Sequence, residues 1–378
     1  MSFVLAHNDI IAFDSFMSLS NECYYRNAVI GSAGDFITAP EVSDIFNLIL
    51  GKVALSHTIN KKKKLVLLEL GGGTGRMMRD ILRLLQAYTN NDITTIVSAV
   101  LMLEHSENMA EIQKKNVSDV IPSCPIEWFF DLDAIVERAQ FIAKETNSTV
   151  VIVSNEFFDA LPVKQFHVGT EISELYAHRK ENELKLTYQA PSECSIHIID
   201  EYIRGSAKIL QQIIAEDGHT IVELSPIRER YMDRLLDAVI SSDGMFVAVD
   251  YGHLGYKHTN SIKFVKNHTL LDAITQLGEA DISATVDFYS LTKIATRRDC
   301  IAAYCTQADF LKANGIYDVA KDSFHKFLNS DMHAKHFEKT WLDTVTLTSK
   351  LEMGETFKVL SVTNSTIQKT NFKRYSSE

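Results

Sequence analysis

From Leu65 onward, short apolar runs alternate with amphipathic stretches whose apolar residues have helical spacing. The strongest runs have the length and composition of buried strands, and they are LVLLEL at 65–70, TTIVSAVLMLE at 94–104, VVIVSN at 150–155 and GMFVAVDYG at 244–252. CIAAYC at 300–305 and TFKVLSV at 356–362 are two further candidates. Strands that alternate with helices favour a mostly parallel sheet covered by helices on both faces. The chain is therefore predicted to have an α/β fold.

The length of 378 residues allows one large domain with insertions or two domains. Residues 164–190 alternate in a hairpin-like way, and residues 309–350 are polar and largely helical. Both segments look like additions to a central fold. We expect an N-terminal helical cap over 1–60, a core over 61–163, 218–307 and 351–365, a hairpin and helical insertion over 164–217, and a helical insertion over 308–350.

Composition narrows the classes of function. A net charge of −11 argues against a general nucleic-acid or anionic-membrane binder and suits a cationic partner. The five scattered cysteines include no CxxC pair, so the sequence predicts neither a disulfide framework nor a metal site. No apolar run approaches the roughly 18 residues of a spanning helix, and no signal or transit segment is recognisable. A bacterial cytoplasm is the simplest location, although a processed protein of the mitochondrial matrix would look the same.

The segment LLELGGGTGRMMRDIL, 67–82, has the order strand, glycine loop, helix. Gly71, Gly73 and Gly75 would let the backbone approach a ligand closely, and the helix that follows presents free N–H groups. A tight turn without a ligand is the alternative, because a glycine cluster alone is weak evidence. Two acidic residues favour a ligand-binding loop over a tight turn. Glu104 ends the next strand, where a carboxylate can accept hydrogen bonds from both hydroxyls of a ribose, and Glu69 directly precedes the loop.

NAD and S-adenosylmethionine both fit a glycine loop followed by an acid. The loop reads GxGxG rather than the GxGxxG of dinucleotide sites. Glu69 would also repel a pyrophosphate, whereas it suits the positively charged amino-acid end of S-adenosylmethionine. The residues therefore favour S-adenosylmethionine. Asp131 could meet the adenine amino group beside an apolar wall at 128–130, or it could cap the following helix.

The stretch SNEFFDALPVKQF, 154–166, follows the fourth strong strand. Methyl transfer is an in-line displacement that depends mainly on the position of the acceptor. Asn155 and Glu156 would supply an amide and a carboxylate at this point, and Glu156 could grip a guanidinium through charge-assisted bonds. Asp159 could assist, or Asn155 and Asp159 could form turn hydrogen bonds while Phe157 and Phe158 fill the core.

Six segments in this order resemble the MidA-like methyltransferases, a family that includes a mitochondrial complex I assembly factor with protein arginine methyltransferase activity. They are GDFITAPEVSDIF at 34–46, ELGGGTGRMMRDIL at 69–82, SNEFFDALPVKQF at 154–166, VDYGH at 249–253, GEADISATVDF at 278–288 and MGETFKV at 353–359. The resemblance implies a class I, Rossmann-like methyltransferase fold with a mostly parallel seven-stranded sheet. It also implies S-adenosylmethionine as methyl donor and a protein arginine as acceptor.

The resemblance assigns further positions. Asp35 and Thr38 are expected to contact the cofactor in a segment that covers it, and Asp250 and His253 to line the acceptor channel. Three loop residues depart from the family pattern, with Gly72 at a usual proline, Thr74 at a usual arginine and Arg76 at a usual threonine. Thr285 also stands where the family has a histidine.

These observations predict an S-adenosylmethionine-dependent protein arginine methyltransferase that acts on a complex I subunit and supports complex I assembly. A catalytically weak relative that acts as an assembly chaperone is the alternative that the altered loop and Thr285 permit. A small-molecule methyltransferase is a third possibility. The expected partner is an arginine-bearing protein, with no nucleic acid and no membrane insertion. The sequence does not determine the oligomeric state, and a homodimer is compatible with it.

Overall fold

The computed structural model describes residues 10–26, 38–118, 120, 124–180, 183–255, 259–272, 276–329 and 334–364. Within these ranges the strands are β1 (Ile10–Ala12), β2 (Lys64–Leu70), β3 (Val97–Leu103), β4 (Ile126–Phe129), β5 (Ser148–Asn155), β6 (Lys164–Val168), β7 (Ile172–Lys180), β8 (Glu183–Gln189), β9 (Thr220–Leu224), β10 (Met245–His253), β11 (Lys263–Lys266), β12 (Thr269–Leu271), β13 (Asp281–Ser283), β14 (Val286–Asp287), β15 (Cys300–Thr306) and β16 (Phe357–Asn364). The helices are α1 (Phe13–Tyr25), α2 (Ala39–Val42), α3 (Asp44–Lys61), α4 (Arg76–Tyr88), α5 (Glu107–Val117), α6 (Leu132–Thr146), α7 (Glu193–Asp217), α8 (Pro226–Ser242), α9 (Phe288–Arg297), α10 (Gln307–Ala313), α11 (Ile316–Leu328), α12 (Ala334–Thr348) and α13 (Met353–Thr356). A short 3₁₀ helix covers Ile93–Thr95.

The chain forms two compact units, and the larger one comprises Val29–Phe157, Tyr231–Gly252 and Phe288–Glu378. The main path of its sheet runs in the order β15-β16-β10-β5-β2-β3-β4. The pairs from β10 to β4 are parallel, whereas β16 pairs antiparallel with both β10 and β15. The predicted α/β fold with a mostly parallel seven-stranded path is therefore confirmed.

The central strands are buried along nearly their whole length because helices cover both faces of the sheet. All eight residues of β5 are buried, and in β2 only the first residue is exposed. The helix α4 presents Met78, Ile81 and Leu85 to the core, and none of these three side chains is exposed. Strands buried on both faces read as continuous apolar runs, which is the pattern that made them recognisable in the sequence.

The order of the parallel strands reverses between β2 and β5. The chain proceeds from β2 outward to β3 and β4 on one side, and then returns to β5 and β10 on the other. Leu70 at the end of β2 pairs with Ser154 near the end of β5, so both strands end at the same edge of the sheet. Ligands of open α/β sheets bind at such a reversal, outside the carboxyl ends of the strands. The predicted site residues that follow β2, β3 and β5 share this edge.

The smaller unit is assembled from Met1–Ala28, Phe158–Arg230 and His253–Asp287. Its five-stranded sheet has the order β1-β7-β6-β9, with β8 paired to β7, and a second sheet has the order β12-β11-β13. The segment predicted as hairpin-like forms the antiparallel strands β6, β7 and β8. Phe13, Phe16 and Met17 of α1 form a core with residues of β7, β11 and β13. The domain boundaries predicted from the sequence remain a prediction.

Among the residues that the structure describes, no helix combines the length and apolarity of a membrane span.

Candidate active site

The glycine loop between β2 and α4 adopts a backbone that other residues rarely adopt. Gly71 has φ +61° and Gly75 has φ +82°, both in the left-handed region. A β-carbon on Gly71 would lie 2.6 Å from the Phe157 ring, and one on Gly75 would lie 3.2 Å from the backbone of Gln113. Glycine is therefore required at these positions both by φ and by close neighbours.

Side chains of helix α5 donate hydrogen bonds to this loop. The Gln113 side-chain amide donates to the Gly73 carbonyl at 3.0 Å, and the Asn116 amide donates to the Thr74 carbonyl at 2.8 Å. Two loop carbonyls are thus satisfied by side chains of one helix. The loop N–H of Gly71 donates to the Leu103 carbonyl at 2.9 Å, which ties the loop to the end of β3 as well.

Two of the loop residues that depart from the family pattern, Thr74 and Arg76, contact α2 and the first residue of α3. The Thr74 hydroxyl donates to the Glu41 carboxylate of α2. The Arg76 guanidinium donates to the Glu41 carbonyl and to the Asp44 carboxylate. These ion pairs raise the pKa of Arg76 against the opposing effect of burial. Thr74 and Arg76 therefore connect the loop to α2, whose N-terminal flank is Thr38.

Glu69 is a buried carboxylate at the loop, with 1% of its surface exposed. Its Oε2 atom has no hydrogen-bond partner among the described residues. Burial, followed by the negative charge of Glu104, raises the pKa of Glu69 to about 8. A β-carbon on Gly72 would lie 3.2 Å from Glu69 Oε2, so the loop passes directly over this oxygen. An unpartnered buried acid of this kind is poised for a cationic group.

Glu104 follows β3 and has a partner for each carboxylate oxygen. Oε1 accepts from the Ser106 N–H at 2.9 Å, and Oε2 accepts from the Gln113 amide at 2.8 Å. Burial raises the pKa of Glu104, and these hydrogen bonds oppose the rise. The Trp128 indole N–H donates to Gln113 Oε1 at 3.1 Å, so the tryptophan predicted to form an apolar wall is tied to the same helix.

Asp131 caps helix α6, because its carboxylate accepts from the Ala134 N–H at 2.9 Å. The side chain is exposed. This contact is the structural alternative considered from the sequence, and a contact of Asp131 with adenine remains a prediction.

Asn155 ends β5 at the same edge of the sheet, and Glu156 directly follows it. The Asn155 amide donates to Glu156 Oε1 at 2.9 Å, while Asn155 Oδ1 is buried without a hydrogen-bond partner in the described part of the chain. Glu156 has φ +50°, a left-handed backbone that is strained for a residue with a β-carbon. Its N–H donates to the Val249 carbonyl at 2.9 Å, which holds this conformation.

The remaining predicted residues are distributed between the two units. Asp250 is buried near the end of β10 in the larger unit, where its carboxylate accepts from the Tyr251 N–H at 2.8 Å. Asp159 and His253 belong to the smaller unit. His253 Nδ1 lies 2.7 Å from the Gly255 carbonyl. Asp35 lies outside the described residues.

Asp159 and Thr285 share a partner within the smaller unit. Arg228 donates to the Asp159 carbonyl at 3.0 Å and to the Thr285 carbonyl at 2.9 Å. The Thr285 N–H donates to Ser261 Oγ at 2.9 Å. Burial raises the pKa of Asp159 to about 6, against the lowering effect of Arg228. Both residues thus have backbone contacts that stabilise this unit, and the catalytic role of Asp159 remains a prediction.

Sequence reasoning missed Gln113, His105 and Tyr231. His105 Nε2 lies 3.0 Å from the Tyr231 hydroxyl, and the Tyr231 ring lies 5.6 Å from that of Phe157. The sequence could have indicated Gln113, because it lies two turns after the Ser106 cap on the same helix face as Met109 and Ala110, which are buried. It could not have indicated Tyr231, since 126 positions separate it from His105.

The arrangement fits S-adenosylmethionine. Within the described ranges, Glu69 Oε2 and Asn155 Oδ1 are buried acceptors without hydrogen-bond partners, so each can accept a hydrogen bond from a ligand, and the carboxylate of Glu69 suits an ammonium. Glu104 offers carboxylate oxygens for hydroxyl groups, and the glycine loop leaves room for a close approach of backbone and ligand. When bound, this cofactor supplies an electrophilic methyl group, and the chain's residues bind and orient it.

The strand order and the glycine loop at the strand reversal define a class I methyltransferase fold. Residues 52–305 match the family model described as "Putative S-adenosyl-L-methionine-dependent methyltransferase". The chain belongs to this family, whose cofactor is S-adenosylmethionine, and the resemblance to the MidA-like methyltransferases is confirmed.

Two curated relatives show the same relationship. The protein arginine methyltransferase NDUFAF7 homolog, mitochondrial, of Caenorhabditis elegans is 28% identical over 303 residues, covering 76% of this chain and 67% of the relative. Protein arginine methyltransferase NDUFAF7, mitochondrial, of Danio rerio is 26% identical over 360 residues, covering 90% and 79%.

A solved structure shares the fold. The crystal structure of a protein from Burkholderia thailandensis bound to S-adenosyl-homocysteine has a TM-score of 0.74 at 19% identity, covering 96% of this chain and 90% of that one.

Proposed function

We propose that this protein is a protein arginine methyltransferase that methylates an arginine of a respiratory complex I subunit and thereby supports assembly of the complex. The chain is an S-adenosylmethionine-dependent methyltransferase, and the proposal concerns its acceptor. The relatives named as protein arginine methyltransferases support it, although they are only 26–28% identical over the matched residues.

The observation that carries the proposal is the fixed carboxylate of Glu156. The strained backbone at φ +50°, its N–H bond to Val249 and the side-chain bond from Asn155 hold Glu156 at the reacting edge of the sheet. A carboxylate can bind a guanidinium through paired N–H···O bonds and orient one nitrogen. Because methyl transfer depends on position more than on proton transfer, a rigid acid is more useful here than a mobile one.

The test is the Glu156→Gln variant. It retains the shape of the side chain but loses the charge that pairs with a guanidinium, so we expect S-adenosylmethionine to bind with unchanged affinity. Transfer to the acceptor should fall by about a hundredfold or more. Calorimetry measures the first quantity, and mass spectrometry of complex I subunits incubated with the protein and isotope-labelled cofactor measures the second.

The matched control is Glu145→Gln, which removes the same charge from an exposed position on α6. It should transfer methyl groups as the unaltered protein does. Unchanged turnover of Glu156→Gln would remove Glu156 from the mechanism. Cofactor binding without labelling of any subunit would favour an assembly chaperone. Labelling of a small molecule alone would favour a small-molecule methyltransferase.

The location of the protein needs a separate test. The curated relatives carry "mitochondrial" in their names. We propose that this protein acts in a bacterial cytoplasm or, as a processed organellar protein, in the mitochondrial matrix. Fractionation of the source cells, followed by detection of the protein in each fraction, distinguishes the two.

A further inference from the structure

Gln113 occupies a central position among the groups assigned to the cofactor. It lies on α5 with none of its surface exposed, and its side chain makes three hydrogen bonds. Nε2 donates to the Gly73 carbonyl at 3.0 Å and to Glu104 Oε2 at 2.8 Å, while Oε1 accepts from the Trp128 indole at 3.1 Å. One amide therefore links the glycine loop, the acid after β3 and the aromatic side chain of β4.

The side-chain chemistry of glutamine is suited to this position. Two donors and an acceptor are needed at once, and a neutral amide supplies both. A carboxylate would lose both donors, and an apolar residue would leave Glu104 Oε2 and the Gly73 carbonyl without these bonds. Because the Gln113 side chain is fully buried, water does not compete for its hydrogen bonds. The amide therefore fixes the glycine loop, Glu104 and Trp128 relative to one another.

We propose that Gln113 is a positioning residue for cofactor binding, which sets the distance between the glycine loop and Glu104 and the orientation of the Trp128 ring. The inference rests on the placement of S-adenosylmethionine at these groups and not on the identity of the acceptor. Gln113 itself need not touch the cofactor, because it acts through Gly73, Glu104 and Trp128.

A Gln113→Glu variant tests this role, because it should make the affinity for S-adenosylmethionine depend on pH. Two carboxylates would then lie at hydrogen-bond distance, so a proton shared at low pH restores the bond to Glu104, while the bond to the Gly73 carbonyl is lost at every pH. At higher pH both ionise and repel each other, which separates the loop from Glu104. Glu69, the penultimate residue of β2, interacts with the charge of Glu104, and Lys114 Nζ lies 5.7 Å from the Trp128 ring centroid.

The experiment measures the Kd for S-adenosylmethionine by calorimetry from about pH 5.5 to about pH 8.5. We expect the ratio of the variant Kd to that of the unaltered protein to rise by about tenfold or more across this range, since the repulsion grows as the second proton leaves. Using the ratio removes any pH dependence that both proteins share. Gln113→Met, which has a similar volume and no donor, should weaken binding by the same factor at every pH.

The control is Gln86→Glu on α4, which introduces the same charge in the same unit away from these bonds, and its ratio should be flat. Circular dichroism at each pH verifies that every variant is folded. A flat ratio for Gln113→Glu in folded protein would overturn the positioning role. If the unaltered protein fails to bind S-adenosylmethionine at all, the cofactor placement fails first, and this outcome is recognisable before any variant is measured.

Discussion

At the scale of single residues, Glu69 shows how burial changes the pKa of an acid beside the glycine loop. The sequence predicted its position, because it precedes the glycine loop at the end of an apolar strand. It did not predict the protonation state, which depends on neighbours distant in sequence. The pKa near 8 keeps most of the Glu69 carboxyl groups protonated at neutral pH in the absence of a cation.

Cofactor binding should therefore depend on pH. We expect the ionised form of Glu69 to pair with the cofactor ammonium, so that binding at neutral pH releases a proton and affinity rises with pH until about 8. Between about pH 6.5 and about pH 8.5 we expect the Kd for S-adenosylmethionine to fall on the order of tenfold. Calorimetry in buffers with different ionisation enthalpies counts the released protons directly.

Glu69→Gln is the comparison for this prediction. The amide cannot ionise, so the variant should bind weakly at all pH values without the proton release. The protonated carboxyl also stabilises the cofactor-free fold, and this contribution is present at acidic pH and is lost as pH rises through about 8. A proton count of zero for the unaltered protein would contradict the assignment of Glu69 to the ammonium.

At the scale of elements, the packing of α5 against the glycine loop explains the glycine at position 75. A β-carbon on Gly75 would lie 3.0 Å from Val117 Cγ2 and 3.2 Å from Gln113 Cα. The contact involves helix backbone, which cannot rotate away as a side chain can. The glycine pattern was recognisable in the sequence as a loop, but its dependence on α5 was not, because 38 positions separate Gly75 from Gln113.

We expect Gly75→Ala to lower the free energy of unfolding by about 1–3 kcal/mol, because it combines an unfavourable φ with a close contact. It should also weaken S-adenosylmethionine binding, since α5 must move and Gln113 moves with it. Urea titration and calorimetry measure the two effects.

Gly205→Ala is the matched substitution for this prediction. Gly205 lies within α7, and a β-carbon there would meet no atom within 4 Å. Alanine favours a helix, so this variant should be as stable as the unaltered protein or more stable by about 0.5–1 kcal/mol. Equal stability of the two alanine variants would show that α5 yields easily at Gly75.

At the scale of the whole molecule, the sequence predicted the features that depend on residues close together in the chain, such as the buried strands. The strands β2, β3, β5 and β10 were recognisable because both of their faces are buried, and their alternation with helices predicted the sheet. The sequence predicted the hairpin within the smaller unit, but it did not indicate that this unit joins three separate stretches of chain. Its short strands β11, β12 and β13 have three or four residues each, too few for a periodic signal.

The site residues also divide into those that the sequence predicted and those that depend on contacts between distant positions. Residues at strand ends, such as Glu104 and Asn155, were predictable from the apolar runs before them. The contacts of Thr74 and Arg76 with Glu41 were not, because side-chain partners more than thirty positions apart leave no pattern in one sequence.

The hydrogen bond between Trp128 and Gln113 also gives the protein an optical property. The chain contains two tryptophans, and the other one, Trp341, is half exposed on α12. Replacing Trp341 with phenylalanine would leave a single indole, held by an amide beside the proposed adenine position. Its emission wavelength and intensity would then follow cofactor occupancy in solution without any added label, and stopped-flow mixing would give the rates at which the cofactor enters and leaves.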